Sequence, residues 1–140
     1  MGNYYIGTSG FSYRDWEGPF YPPHLGKEEY LSYYSRHFSF VELNFTYYRP
    51  PDAPVMEKMT TRVPEGFLFS VKAHKSLTHE RKAAWKDETD AFIEGIAPLA
   101  EGDKLAGVLL QFPYSFHYTR ENRTYLADLC SRLAGGADLP

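Results

Sequence analysis

The stretch FVELNFTYYRPP, residues 40–51, decides how the rest of the chain is read. Its β-branched and aromatic residues favour a strand, and Pro50-Pro51 ends it. Side chains alternate between the two faces of a strand. Phe40, Glu42, Asn44 and Thr46 therefore share one side, and Val41, Leu43, Phe45 and Tyr47 share the other. A helical layer covers an apolar face, so Val41, Leu43 and Phe45 are expected beneath helices. Glu42 and Asn44 then point away from them, into a polar interior.

Working outward, residues 4–9, 38–48, 66–74 and 105–113 read as four strands. The helical runs 27–38, 52–63, 87–100 and 119–136 alternate with them. Strict alternation of this kind implies one α/β domain over 1–140 with a parallel sheet and right-handed crossovers. In the last helix Thr119 is positioned as the cap. Leu126, Leu129, Cys130 and Leu133 repeat at helical spacing, which places Cys130 in the core, and Gly135-Gly136 is expected to end the helix. Asp52 is the expected cap of the second helix, with Pro54 in its first turn.

The totals restrict the function classes. The 140 residues are 43% hydrophobic and 17% aromatic, with a net charge of −3, so no overall basic field recruits nucleic acid. The one cysteine forms no internal disulfide and fits a reducing compartment, so the expected location is cytoplasmic. No secretory leader is legible, and no run approaches about 18 apolar residues, so no membrane partner is expected.

Four ordered blocks carry a resemblance along essentially the whole chain. They are GTSGFSYRDWEGPFYP (7–22), FSFVELNFTYYRPP (38–51), VPEGFLFSVKAHKSLTHERK (63–82) and GVLLQFPYSF (107–116). Together they resemble the domain of unknown function 72 family (YecE-like). The resemblance implies a TIM-type β/α barrel and leaves the reaction unassigned. A complete barrel needs eight βα units and about 250 residues. This chain holds four, so the expected architecture is the N-terminal half of such a barrel, truncated relative to the full one. Two unpaired strand edges and an uncovered interior face would follow, inviting self-association or a partner.

The two long connections, 10–26 and 74–86, both follow strands, whereas the returns at 64–66 and 101–104 are short. In parallel α/β folds, ligands bind at the carboxyl ends of the strands. Alternation brings Ser9, Glu42, Asn44, Lys72 and Gln111 to that end, all facing inward. Glu42 and Lys72 come from neighbouring strands and could pair. Buried ion pairs are poor stabilisers, which favours a reactive or binding role, although barrels also hold structural pairs. Glu42 is the candidate acid or base, and Lys72 a base, Schiff-base nucleophile or anion clamp.

Tyr13 and Trp16 in the first loop could stack on a ring, while Phe20 and Tyr21 read as core. Lys72, Lys75, Arg81, Lys82 and Lys86 with His74 and His79 form a basic stretch that suits a phosphate or a solvated loop. The histidines lack metal-ligand spacing, so no metal site is assigned, and no cofactor is selected.

Two functions fit. One is a barrel enzyme or binding protein for a small polar, anionic ligand. The other is a non-catalytic nucleotide- or nucleic-acid-binding module, or a half-barrel that works only with a partner.

Overall fold

The computed structural model describes residues 2–137. Its four strands are β1 (Gly7–Ser9), β2 (Phe40–Leu43), β3 (Leu68–Lys72) and β4 (Leu105–Leu109). They pair in parallel, in the order 1-2-3-4. The helices α1 (Tyr30–Tyr34), α2 (Ala53–Thr60), α3 (Trp85–Glu101) and α4 (Arg120–Ala137) alternate with them. All four contribute to one apolar core, against a single face of the sheet. Sequential parallel strands with every helix on one side give an α/β fold with the arrangement expected of half a TIM-type barrel.

The covered face explains the strand sequences. Val41, Leu43, Phe69 and Val71 are at most 1% exposed. They pack with Leu31 and Tyr34 of α1, Met56 of α2, Phe92 and Ile96 of α3, and Leu129 of α4. Each such burial contributes about 1.5–3 kcal/mol. Residues on the other face, including Glu42, Ser70, Lys72 and Leu109, remain half-buried. An extra residue in β4 sets its phase: Phe69 lies opposite Leu105, but Ser70 lies opposite Gly107. This bulge at Ala106 lets Leu105 and Val108 both reach the core.

Close packing of α3 depends on Gly95. A Cβ there would sit 2.3 Å from the Pro51 carbonyl oxygen, at the entrance to α2.

Several local expectations need correction. β2 stops at Leu43, because Asn44 takes helical dihedrals and residues 45–47 form a 3-10 turn. Phe45 is thereby turned out to 40% exposure, while Thr46 is fully buried. Cys130 is exposed rather than in the core. Among the described residues α4 has a helical neighbour, α3, on one flank only, so its apolar stripe narrows to Leu129, Leu133 and Ala137. Gly135 and Gly136 do not stop that helix, which runs to Ala137. Gly136 instead lets Ile93 approach, since a Cβ would lie 2.6 Å from its Cδ1. Thr119 does cap α4, accepting from the Asn122 amide at 3.1 Å. Asp52 occupies the cap position of α2 without making a side-chain cap bond.

Candidate functional site

At the carboxyl end of β1 and β2 the open face carries a connected polar group. Strand register sets Ser9 level with Glu42, and the Ser9 hydroxyl donates to Glu42 Oε1 at 3.1 Å. Asn44 Nδ2 donates in turn to Ser9 Oγ. A serine hydroxyl has one proton, so accepting from Asn44 while donating to Glu42 gives the chain of bonds a direction. It runs from amide to hydroxyl to carboxylate.

The surrounding backbone holds this group still. The Gly10 amide donates to the Glu42 carbonyl at 2.8 Å, and the Tyr13 hydroxyl donates to the Ser9 carbonyl. Gly10 is needed there: its φ is 79°, and a Cβ would lie 2.4 Å from the Tyr13 hydroxyl oxygen. One atom is left over. Asn44 Oδ1 is buried and has no hydrogen-bond partner. Buried polar atoms are nearly always paired, so an orphan of this kind calls for an explanation.

Beside the group lies a cleft of about 180 Å³ lined by Gly10, Phe11, Ser12, Tyr13, Leu43, Asn44 and Phe45. That is below the roughly 300–1,000 Å³ typical of ligand pockets, so the cleft alone does not enclose a ligand of ordinary size.

Lys72 does not pair with Glu42. The ion pairs among the described residues are Lys75–Glu80, Lys82–Glu80 and Arg132–Asp90. Register gives the reason: Glu42 is level with Ser70, and Lys72 lies two residues further along β3. At about 3.3 Å per residue, that offset carries the ammonium past the carboxylate. Lys72 Nζ sits instead over the Tyr47 ring, 5.0 Å from its centroid. Thr46 Oγ1 donates to the Lys72 carbonyl at 2.6 Å, tying the 3-10 turn to the end of β3. Alternation along β2 put Tyr47 on the helix side. Its place beneath Lys72 arises from the turn, and no local pattern marks it.

His79 meets the same ring, edge-on at 5.2 Å. It rides on a π-helical turn, Ser76–Glu80, inside what the sequence shows only as a loop. Its Nδ1 lies 2.9 Å from the Thr78 hydroxyl. Nearby His74 Nδ1 accepts the Ser76 amide at 3.2 Å, so a neutral His74 carries its proton on Nε2. Gln111 lies beyond the end of β4 and is exposed.

The basic loop is less open to an anion than its composition suggests. Glu80 lies 3.6 Å from both Lys75 and Lys82. Arg81 adopts left-handed dihedrals, donates to the Thr78 carbonyl at 3.1 Å and lies over the Phe116 ring. Lys86 is over Trp85.

The first loop is mostly a packed plug. Tyr21 is fully buried and stacks on Tyr30 at 3.9 Å, and its hydroxyl donates to the Phe11 carbonyl at 2.5 Å. Burial, followed by the neighbouring Tyr34 and Tyr30, pushes the Tyr21 phenol well above its ordinary value. Trp16 lies between Tyr13 and Phe20, at 5.1 and 5.6 Å, and is partly buried against the core. Tyr13, 43% exposed, borders the cleft together with Phe11 of the same loop.

Comparison with known proteins agrees with this architecture. A family model described as "Protein of unknown function DUF72" matches residues 5–139. UPF0759 protein YunF of Bacillus subtilis (strain 168) is 38% identical over 127 residues, which is 87% of this chain and 44% of that protein. A DUF72 family structure from Thermotoga maritima MSB8 is 41% identical with a TM-score of 0.77, covering 91% of this chain and 51% of that one. Another, from Enterococcus faecalis V583, is 31% identical with a TM-score of 0.70, covering 79% and 45%. The chain thus spans about half the length of these relatives. With its four sequence blocks and its four-stranded sheet both accounted for, the chain belongs to the DUF72 family.

Proposed function

We propose that the carboxyl end of the sheet binds a small polar ligand carrying an anionic group. The observation that supports this most directly is the bond chain Asn44–Ser9–Glu42, which ends in a half-buried carboxylate and leaves Asn44 Oδ1 without a partner. Glu42 Oε2 and Asn44 Oδ1 are both acceptors, so the complementary group is a hydroxyl or amine on the ligand. In this reading Glu42 takes a proton from such a group. Lys72, in none of the ion pairs among the described residues, meets the anionic part. Tyr13 borders the cleft, and strands that pair with the free edges of β1 and β4 supply the remaining walls.

The test is amide-shift mapping of the labelled chain with hydroxy acids, amino acids and monosaccharides. At least one class should shift Ser9, Glu42 and Asn44 selectively, and Glu42→Gln should weaken that binding about tenfold, as expected for a bond to a charged group. Shifts scattered over the surface, or an unaffected Glu42→Gln variant, would remove the reading. The nucleic-acid alternative draws less support, because Glu80 engages two of the loop lysines and Arg81 is folded onto Phe116.

A further inference from the structure

The ligand reading leaves unexplained how Lys72, Tyr47 and His79 are held together. Lys72 is half-buried and sits in no ion pair among the described residues. A partly desolvated ammonium without a counter-charge is unfavourable, so its surroundings should contain something that compensates. The Tyr47 ring does so in part, through its negative face at 5.0 Å. Cation–π attraction of this kind is weaker than a charge-assisted hydrogen bond to an oxyanion, so the ring holds the ammonium in place while leaving its three donors for another acceptor.

The arrangement is built by the fold on both sides. Thr46, fully buried, fixes the Lys72 carbonyl at 2.6 Å, so the neighbouring Tyr47 is delivered beneath the ammonium by the same turn. On the other side, the π-helical turn that carries His79 has buried Ser76, Leu77 and Thr78. It is pinned by the Tyr125 hydroxyl, which donates to the Leu77 carbonyl at 2.6 Å, and by the Arg81 amide, which donates to the Ser76 carbonyl at 2.9 Å. His79 Nδ1 is taken by Thr78; with the Thr78 hydroxyl as donor, Nε2 carries the ring proton and is left to donate to a ligand. The acid of this turn, Glu80, is engaged with Lys75 and Lys82, and strand register keeps Glu42 from pairing with Lys72.

We infer that Lys72 and His79, set against the common ring of Tyr47, form a subsite for the phosphate group of a phosphorylated ligand. This rests on reading the carboxyl end of the sheet as a ligand site, and it names the anion that site takes. A phosphate dianion matches two separate nitrogen donors better than a planar carboxylate does. It offers three acceptor oxygens spread tetrahedrally, with more charge to oppose the ammonium.

The experiment is titration of the whole labelled chain with inorganic phosphate, followed by amide shifts, with acetate in parallel. Phosphate should shift Tyr47, Lys72 and His79. Lys72→Met should weaken it roughly tenfold or more, the loss expected for a bond to a charged group. His79→Ala and Tyr47→Leu should each weaken it about threefold, with the folded amide spectrum retained, the scale of one modest contact. Lys75→Gln with Lys82→Gln should leave it unchanged.

Shifts centred on Lys75 and Lys82, an undiminished Lys72→Met variant, or acetate binding as tightly as phosphate would overturn the inference. The two claims fail separately. Phosphate binding at Lys72 with no polar ligand seen at Ser9 and Glu42 would remove the reading of the bond chain alone. The converse would remove the phosphate subsite alone.

Discussion

The two faces of the four-stranded sheet are made by the same residues in alternation and behave as different materials. Toward the helices, Val41, Leu43, Phe69 and Val71 are at most 1% exposed and are packed by side chains from all four helices. Toward the open side, Glu42, Ser70 and Lys72 keep partial contact with solvent and interact through directed bonds and a single aromatic ring. One face supplies stability through area, which tolerates no loss of volume. The other holds polar groups in fixed positions, at little cost to the fold if one is removed. A site can therefore sit on a strand whose neighbouring residues hold the domain together.

The largest expected effect tests that contrast directly. Phe69→Ala should destabilise the chain by about 3–5 kcal/mol, whereas Ser70→Ala, one residue on, should stay within about 0.5 kcal/mol. Urea midpoints of the two variants measure the difference. Equal losses would show that the open face is packed as tightly as the covered one.

Next is Gly95→Ala, where helix propensity favours alanine but the new Cβ would meet the Pro51 carbonyl at 2.3 Å. The clash should prevail, giving a net loss of about 1–3 kcal/mol in the same assay.

A smaller effect belongs to Tyr125, whose hydroxyl joins α4 to the turn that carries His79. Tyr125→Phe should cost about 0.5–1.5 kcal/mol at neutral pH. Burial pushes the Tyr125 phenol up to about 12, from an ordinary 10.0, against a lowering by Arg81. A raised value in the folded state means the stabilisation is complete below about pH 10 and is lost as pH climbs through about 12. Thermal melts across that range should show an alkaline decline that Tyr125→Phe lessens.

The smallest lies outside both faces. Arg132 grips Asp90 with two bonds, at 2.6 and 2.7 Å, joining α3 to α4 at a half-exposed position. Hydrogen bonding to Arg132 holds the Asp90 carboxyl below its ordinary 3.8, despite some desolvation. A lowered value means the pair stabilises above about pH 3.8, and its contribution fades as pH falls through the native value. Asp90→Asn should lower the melting temperature slightly at neutral pH, with the two curves converging in acid. A difference that persists once the carboxyl is fully protonated would count against the pair as its source.

The covered faces of β2 and β3 could be read from residues 40–43 and 67–72 alone, and the order of elements from the alternating runs along the whole chain. A two-residue period depends only on the local backbone, and burial of Val41, Leu43, Phe69 and Val71 follows directly from it. The parallel sheet followed from the alternation of strands and helices. The inward direction of Ser9, Glu42 and Lys72 was legible for the same reason, and so was Thr119 as a cap.

Contacts between strands and between turns lay beyond that local information. Glu42 bonds to Ser9 rather than Lys72 because register, a property of paired strands, sets which side chains are level. Tyr47 lies under Lys72 because the chain coils at Asn44, where continued alternation would have turned the ring to the helices. Cys130 is exposed because, among the described residues, α4 has a helical neighbour, α3, on one flank only, which no periodicity within α4 can reveal. Short-range chemistry chose each residue's side of the sheet; long-range packing chose its neighbours, because pairing energies depend on segments far apart in the chain.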